Sequence, residues 1–224
     1  NPIQYAEHRK TLENVICTAG KFGATHVSTF AGAWEGKPVE SAYEEFGKVF
    51  RELADLAEEK GVKLGIENCL MDGTWEHATC NIGFNPKAWE VMFEEVKNDN
   101  FGLEWEPTHQ MVQLIDPVTE LRKWCKKIVH IHGKDATIDW DAVRHSGISG
   151  AVPFVWHRMP GFGDTNWRDI ISILRSNGYE DDICIEGYHD PVYSGELEMT
   201  GQLHALNYLK WCRGGDFTPT PWAK

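Results

Sequence analysis

Strand-like and helix-like runs alternate along the chain, with one helix between successive strands, and that order constrains the fold more than any other feature. Strands joined through single helices form βαβ units, and a chain of such units builds a parallel sheet with its helices outside. The pattern is legible in residue types. Leu12, Val15, Ile16, Ala19 and Phe22 recur at helical spacing, and a strand run follows at residues 25–31. Phe46, Val49, Phe50, Leu53, Leu56 and Ala57 mark a second helix that Gly61 ends, and a strand opens at Lys63. Asn85-Pro86 starts a third helix, whose apolar stripe is Trp89, Met92, Phe93 and Val96. A strand from Phe101, a helix over 118–127 and the strand run IVHIHGKD come next. Residues 136–150 read as a polar, Gly-rich connection. A short strand over 152–156, the turn PGFGD, a helix over 167–176, the strand DICIEGY and a last helix over 201–212 complete the pattern.

The expected fold class is therefore α/β, a TIM (β/α)8-type barrel lacking the first two strands in this chain, since six strands are countable and the barrel has eight. Residues 1–224 read as one barrel domain, with about 213–224 as a C-terminal arm. An open doubly wound sheet is the alternative, but no GxGxxG follows the first strand. Strand faces favour the barrel. Phe101, Leu103 and Trp105 share one face and Gly102, Glu104 and Glu106 the other; Val129 and Ile131 lie opposite His130, His132 and Lys134; Ile183 and Ile185 lie opposite Cys184, Glu186 and Tyr188. Charges on one face of a doubly covered strand need neutralising partners, and a cation with its ligand shell is one.

Composition removes several function classes. The net charge of −12, with no Lys/Arg run, argues against a nucleic-acid partner. Six cysteines without a CxxC pair read as reduced thiols, so the expected location is cytoplasmic. No stretch is long and apolar enough to span a membrane, and NPIQYAEHRK carries no signal-peptide pattern. A homo-oligomer or a partner subunit is a further expectation.

Four stretches place metal-type ligands at strand ends: GIEN at Glu67, LEWEPTH at Glu106 and His109, VHIHGKD at His132 and CIEGYHD at Glu186. The order E-N, E-P-x-H, H-x-H-x-K-D, R-x-P-G-x-G-D-x-x-W, I-E-G resembles the xylose-isomerase-like barrel superfamily, which holds sugar-phosphate isomerases and epimerases, ketose 3-epimerases, inosose dehydratases and the endonuclease IV group. The resemblance runs from about Thr25 to the last helix.

It implies one divalent cation held by Glu67, Glu106, His132 and Glu186, with Glu106 standing where the family usually has Asp. Glu104 is the alternative ligand on that strand, with a buried pair to Lys134 as its other role. His109 and Arg158 correspond to substrate-binding positions; His157 is the alternative to Arg158, and Lys134 would meet a substrate oxygen or Glu106. Tyr188 reads as a one-residue insertion that unsettles the roles of His189 and Asp190. His26 reads as structural and His130 as a supporting or packing residue. Mostly oxygen ligands suit Mn²⁺ first, then Mg²⁺, Co²⁺ or Zn²⁺. The implied activity is isomerisation or epimerisation of a ketose, keto-sugar or related polyol, through α-proton abstraction by Glu67 or Glu186 and a metal-stabilised enediolate. A lyase of the inosose dehydratase or 3-keto-glycoside type is the alternative. An abasic-site endonuclease fits poorly, because the run Thr29–Gly32 lacks the histidine and Val155 stands where an Asp is needed. A non-catalytic sugar-binding barrel is the remaining reading.

Overall fold

The structure, a computed structural model, describes residues 2–187 and 189–222. The chain falls into two compact units, one of residues 1–110 with 126–131, the other of residues 111–125 with 132–224.

In the first unit the order is α1 (Pro2–Ala19), β1 (His26–Thr29), α2 (Tyr43–Glu59), β2 (Lys63–Glu67), α3 (Pro86–Glu95) and β3 (Phe101–Trp105). A one-turn helix α4 (Pro107–Met111) follows, and Ile128–Ile131, the first part of β4 (Ile128–Gly133), completes the unit. Local chemistry sets the boundaries. The Asn85 side chain accepts from the Lys87 and Ala88 N–H groups at 2.9 and 3.4 Å, so with Pro86 behind it α3 starts where the sequence predicts. Gly61, at φ 71°, takes the left-handed turn beyond α2.

β1, β2, β3 and β4 pair in parallel in that order. Leu64, Ile66, Phe101, Leu103 and Trp105 are buried on the helix-facing side. The rings of Phe46, Phe50 and Phe93 surround Phe101 with centroids 6.2, 6.1 and 5.7 Å away. Each such ring contributes about 1.5–3 kcal/mol by leaving water, which is what holds α2 and α3 on the sheet.

The other face departs from simple alternation at one point. The register between β3 and β4 slips between Leu103 and Glu104. A Cβ built on Gly65 or Gly102 would meet a Val129 methyl at 2.8 or 2.6 Å. Val129 therefore lies on the same face as Gly102 and Glu104, not opposite His130 as strict alternation predicts, because a bulge adds a residue on one strand.

In the second unit α5 (Pro117–Trp124) packs against α7 (Trp167–Ser176), and β7 (Ile183–Ile185) lies beside β4, giving the five-stranded order β1-β2-β3-β4-β7 of an incomplete TIM barrel. The Glu186 N–H donates to the Gly133 carbonyl at 3.1 Å. Two sequence expectations change here. The connection over 136–150 contains strand β5 (Asp135–Ile138) and helix α6 (Trp140–Ser146), and the short strand, β6, covers Val155–Arg158. β6 pairs antiparallel with β5 and stays outside the five-stranded sheet.

The cause is Asp135. Its buried carboxylate accepts N–H bonds from Ala136, Gly161 and Thr165 at 2.9, 3.0 and 2.9 Å, so the turn PGFGD wraps around it. A Cβ on Gly163 would come within 2.4 Å of that carboxylate. Burial still pushes the Asp135 pKa above the usual carboxylate range, against those hydrogen bonds. Helix α8 (Glu198–Cys212) ends the described regular structure, and no helix among the described residues is long and apolar enough to cross a membrane.

Gly102 gives the direct test of the bulged face. A Cβ there would lie 2.2 Å from the Lys127 carbonyl oxygen, which is backbone and cannot swing away. Gly102→Ala is expected to destabilise the fold by about 2 kcal/mol or more. Gly20→Ala, whose nearest atom is Lys60 O at 3.6 Å, is expected to change little. Urea-unfolding midpoints compare the two.

Candidate functional site

Each unit brings part of the expected ligand set to its strand ends. In the first, Glu67 is the last residue of β2 and Glu106 follows β3 directly. Glu106 is fully buried. Pro107 at the start of α4 turns the chain so that His109, three residues on, returns to the same side. His109 Nε2 lies 3.3 Å from Glu106 Oε1 and 3.9 Å from Glu67 Oε1.

Two buried asparagines hold the backbone that carries these carboxylates. Asn68 Nδ2 donates to the Glu106 carbonyl at 2.9 Å, and its Oδ1 accepts the Glu106 N–H at 2.7 Å. Asn81 donates to the carbonyls of Glu67 and Cys69 at 2.9 and 2.8 Å and accepts from the Ala31 and Gly83 N–H groups, both at 3.0 Å. The E-N motif contained Asn68 without revealing its role; the signal was a polar residue directly after an apolar strand. Nothing in the sequence marked Asn81.

In the second unit, His132 Nδ1 lies 3.1 Å from Glu186 Oε2, and Lys134 Nζ donates to Glu186 Oε1 at 3.1 Å. His132 and Lys134 are two apart along the strand direction and so reach the same side. Lys134 is only 1% exposed. Its carboxylate neighbour is Glu186, where the sequence alone offered Glu104, Glu106 or a substrate oxygen.

Arg158, at the end of β6, donates through Nε to Asp190 Oδ2 at 3.1 Å and lies 5.8 Å from the Phe162 ring. Asp190 also accepts the N–H groups of Met159, Val192 and Tyr193 at 2.8, 2.8 and 2.9 Å. Burial raises its pKa, but these donors together with Arg158 outweigh that and hold it below the usual carboxylate value. Asp190 thus anchors Arg158. Tyr188, the expected insertion, lies outside the described residues.

His157 occupies a different environment from Arg158. Its ring meets His189 edge-on at 5.3 Å. Burial, then the positive charges of Lys134 and His189, push its pKa down to about 4.

The donor sets fit a divalent cation. Two atoms bound to one such ion sit roughly 3 Å apart when each bond is about 2.1 Å, and His132 Nδ1 and Glu186 Oε2 already stand at that spacing. Carboxylate oxygens with one imidazole suit Mn²⁺, Co²⁺, Mg²⁺ and Zn²⁺ alike.

Comparison with known proteins agrees with the fold. A family model described as a xylose isomerase-like TIM barrel matches residues 1–210. The chain belongs to the xylose isomerase-like TIM barrel family. Among curated relatives, an inosose dehydratase of Clostridium tetani (strain Massachusetts / E88) is 26% identical over 182 residues, covering 79% of this chain and 57% of its own length. The chain thus spans little more than half of that relative. A crystal structure of IOLI protein with a binding zinc atom superposes with a TM-score of 0.71 at 20% identity, covering 98% of this chain and 73% of that one. L-ribulose 3-epimerase superposes with a TM-score of 0.64 at 17% identity, covering 93% and 68%. These two likenesses establish the shared fold.

Two measurements probe the site's supports. Asn68→Ala leaves the Glu106 N–H and carbonyl without their buried partner and is expected to cost about 2–3 kcal/mol in urea unfolding. His157, with a folded pKa of about 4 against 6.5, takes up its proton more readily in the unfolded chain. The stability it favours is present above about pH 6.5 and falls as the pH drops through that window towards 4. His157→Gln is expected to flatten that part of a thermal-melting pH profile.

Proposed function

We propose that the protein is a divalent-metal-dependent lyase that removes water from a β-hydroxy ketone on a polyol ring, an inosose-type substrate. The observation that carries this reading is the contact between buried Lys134 and half-buried Glu186. Elimination needs a base for the proton α to the carbonyl and an acid for the departing hydroxyl, and here a carboxylate and an ammonium stand 3.1 Å apart.

Glu186 removes the α-proton. The C–H electrons form the C=C bond, the β C–O bond breaks, and Lys134 protonates the leaving oxygen to give water. Glu186 then carries a proton that Lys134 lacks, and transfer across their contact restores both groups. Arg158, anchored by Asp190 and Phe162, holds a substrate oxygen, and His109 holds another. Glu67, Glu106, His132 and Glu186 are the residues that the family resemblance implies would hold the cation, which would supply Lewis-acid polarisation of the carbonyl when bound. The inosose dehydratase relatives support this substrate class.

Isomerisation or epimerisation of a ketose is the second reading. It shares the α-proton step and differs in returning a proton to carbon; the second strand-end carboxylate, Glu67, supports it.

Incubating the chain with an inosose and Mn²⁺, Co²⁺, Mg²⁺ or Zn²⁺ in D₂O separates the two. The lyase reading predicts loss of water to an enone, abolished by chelation and restored by metal. Recovery of an epimer or isomer with no water lost would turn the assignment to the second reading. Glu186→Gln is expected to lower both α-deuterium exchange and water loss by about 10²–10⁴-fold. Lys134→Met is expected to lower water loss by a similar factor while α-deuterium exchange continues.

A further inference from the structure

We propose that His26, Glu104 and His130 form a second metal site, one that takes a borderline divalent ion such as Zn²⁺ or Co²⁺. The three residues lie entirely within the first unit, and none belongs to the ligand set of the proposed reaction. His26 opens β1, and Glu104 and His130 are register partners on β3 and β4. Glu104 and His130 stand two residues before Glu106 and His132, which places this group about 6–7 Å further down the strands.

The geometry is that of a loosely assembled ligand set. The rings of His26 and His130 stack with centroids 4.0 Å apart and planes 22° from parallel. His130 Nε2 faces Glu104 Oε1 at 4.0 Å, longer than a hydrogen bond. One donor atom from each residue lies within 4.8 Å of the other two. Ligands on one tetrahedral ion stand roughly 3.3 Å apart, and because imidazole lone pairs lie in the ring plane, binding requires the two rings to turn out of their stack so that one nitrogen of each meets the ion.

Chemistry favours an ion in that space. Glu104 and His130 are 7% and 8% exposed, and a carboxylate buried to that degree is stabilised by a nearby cation. Thr25 Oγ1 lies 3.3 Å from His26 Nδ1, an outer contact that orients the ring and leaves Nε2 as ligand. Two nitrogens and one oxygen form a softer set than the carboxylate-rich strand-end residues, so Mg²⁺ is disfavoured here. Strands β2 and β3 lie between β1 and β4, and the ring contact of His26 with His130 reaches across both. An ion bound there ties the edge strand β1 to β3 and β4.

Titration of the chelator-stripped chain with Co²⁺, followed by ligand-field absorption and equilibrium dialysis, tests the site. The expected result is that His26→Gln binds one equivalent fewer than the parent, whatever the parent's total, and that Glu186→Gln retains the equivalent that His26→Gln loses. Thr25→Ala is expected to weaken that equivalent by roughly 10- to 100-fold. Unchanged stoichiometry and affinity in a folded His26→Gln protein overturns the proposal. If that variant fails to fold, anomalous diffraction at the cobalt edge from soaked parent crystals decides: a peak among the three side chains supports the site, and its absence there overturns it.

Discussion

A carboxylate carried into a sheet's interior persists only where an opposite charge, a proton or several donors meet it, and most of what is distinctive here follows from that constraint. In the first unit Glu106 has no exposure and is met by His109, and Glu104 is met by His130. In the second, Glu186 is met by His132 and Lys134, and Asp190 by Arg158 and three backbone N–H groups. Each pairing spends a buried polar group that a core built only for stability would replace with an apolar one. Chemistry is the economical explanation for keeping them.

The supports are as informative as the charges. Asn68 and Asn81 use side-chain amides where strand hydrogen bonding stops, so the backbone stays defined just where Glu67 and Glu106 leave the sheet. Asp135 does the same in the second unit, gathering three N–H groups from residues 136, 161 and 165. Asp135 and Asp190 each accept three backbone N–H bonds, yet titrate in opposite directions. Burial wins for Asp135, whose pKa rises; for Asp190 the same number of backbone donors together with the Arg158 guanidinium outweighs burial.

Membership of the xylose isomerase-like TIM barrel family accounts for the alternation of strands and helices and for the parallel sheet. It leaves the reaction open, because isomerases and lyases on this scaffold share the removal of a proton next to a carbonyl. What distinguishes them is the fate of the neighbouring oxygen, which leaves as water only where an acid stands beside it.

Much of this was written in the local pattern. Helical spacing in 46–57, the Asn85-Pro86 start and the period-two faces of residues 101–106 are short-range properties, and they gave the alternation and the parallel sheet; the shortlist of Glu67, Glu106, His109, His132, Lys134, Arg158 and Glu186 came from the resemblance carried by the order of the motifs. Contacts between distant residues were not legible. The bulge that turns Val129 onto the polar face depends on the register of β3 against β4. The removal of β6 from the main sheet depends on Asp135 reaching residues 161 and 165. Lys134 could have met any of several acids, and only the course of β7 beside β4 put Glu186 there. His26 read as structural because its partner lies 104 positions away (130 − 26). Sequence specifies which groups each strand carries on each face; the pairing of strands decides which of those groups meet.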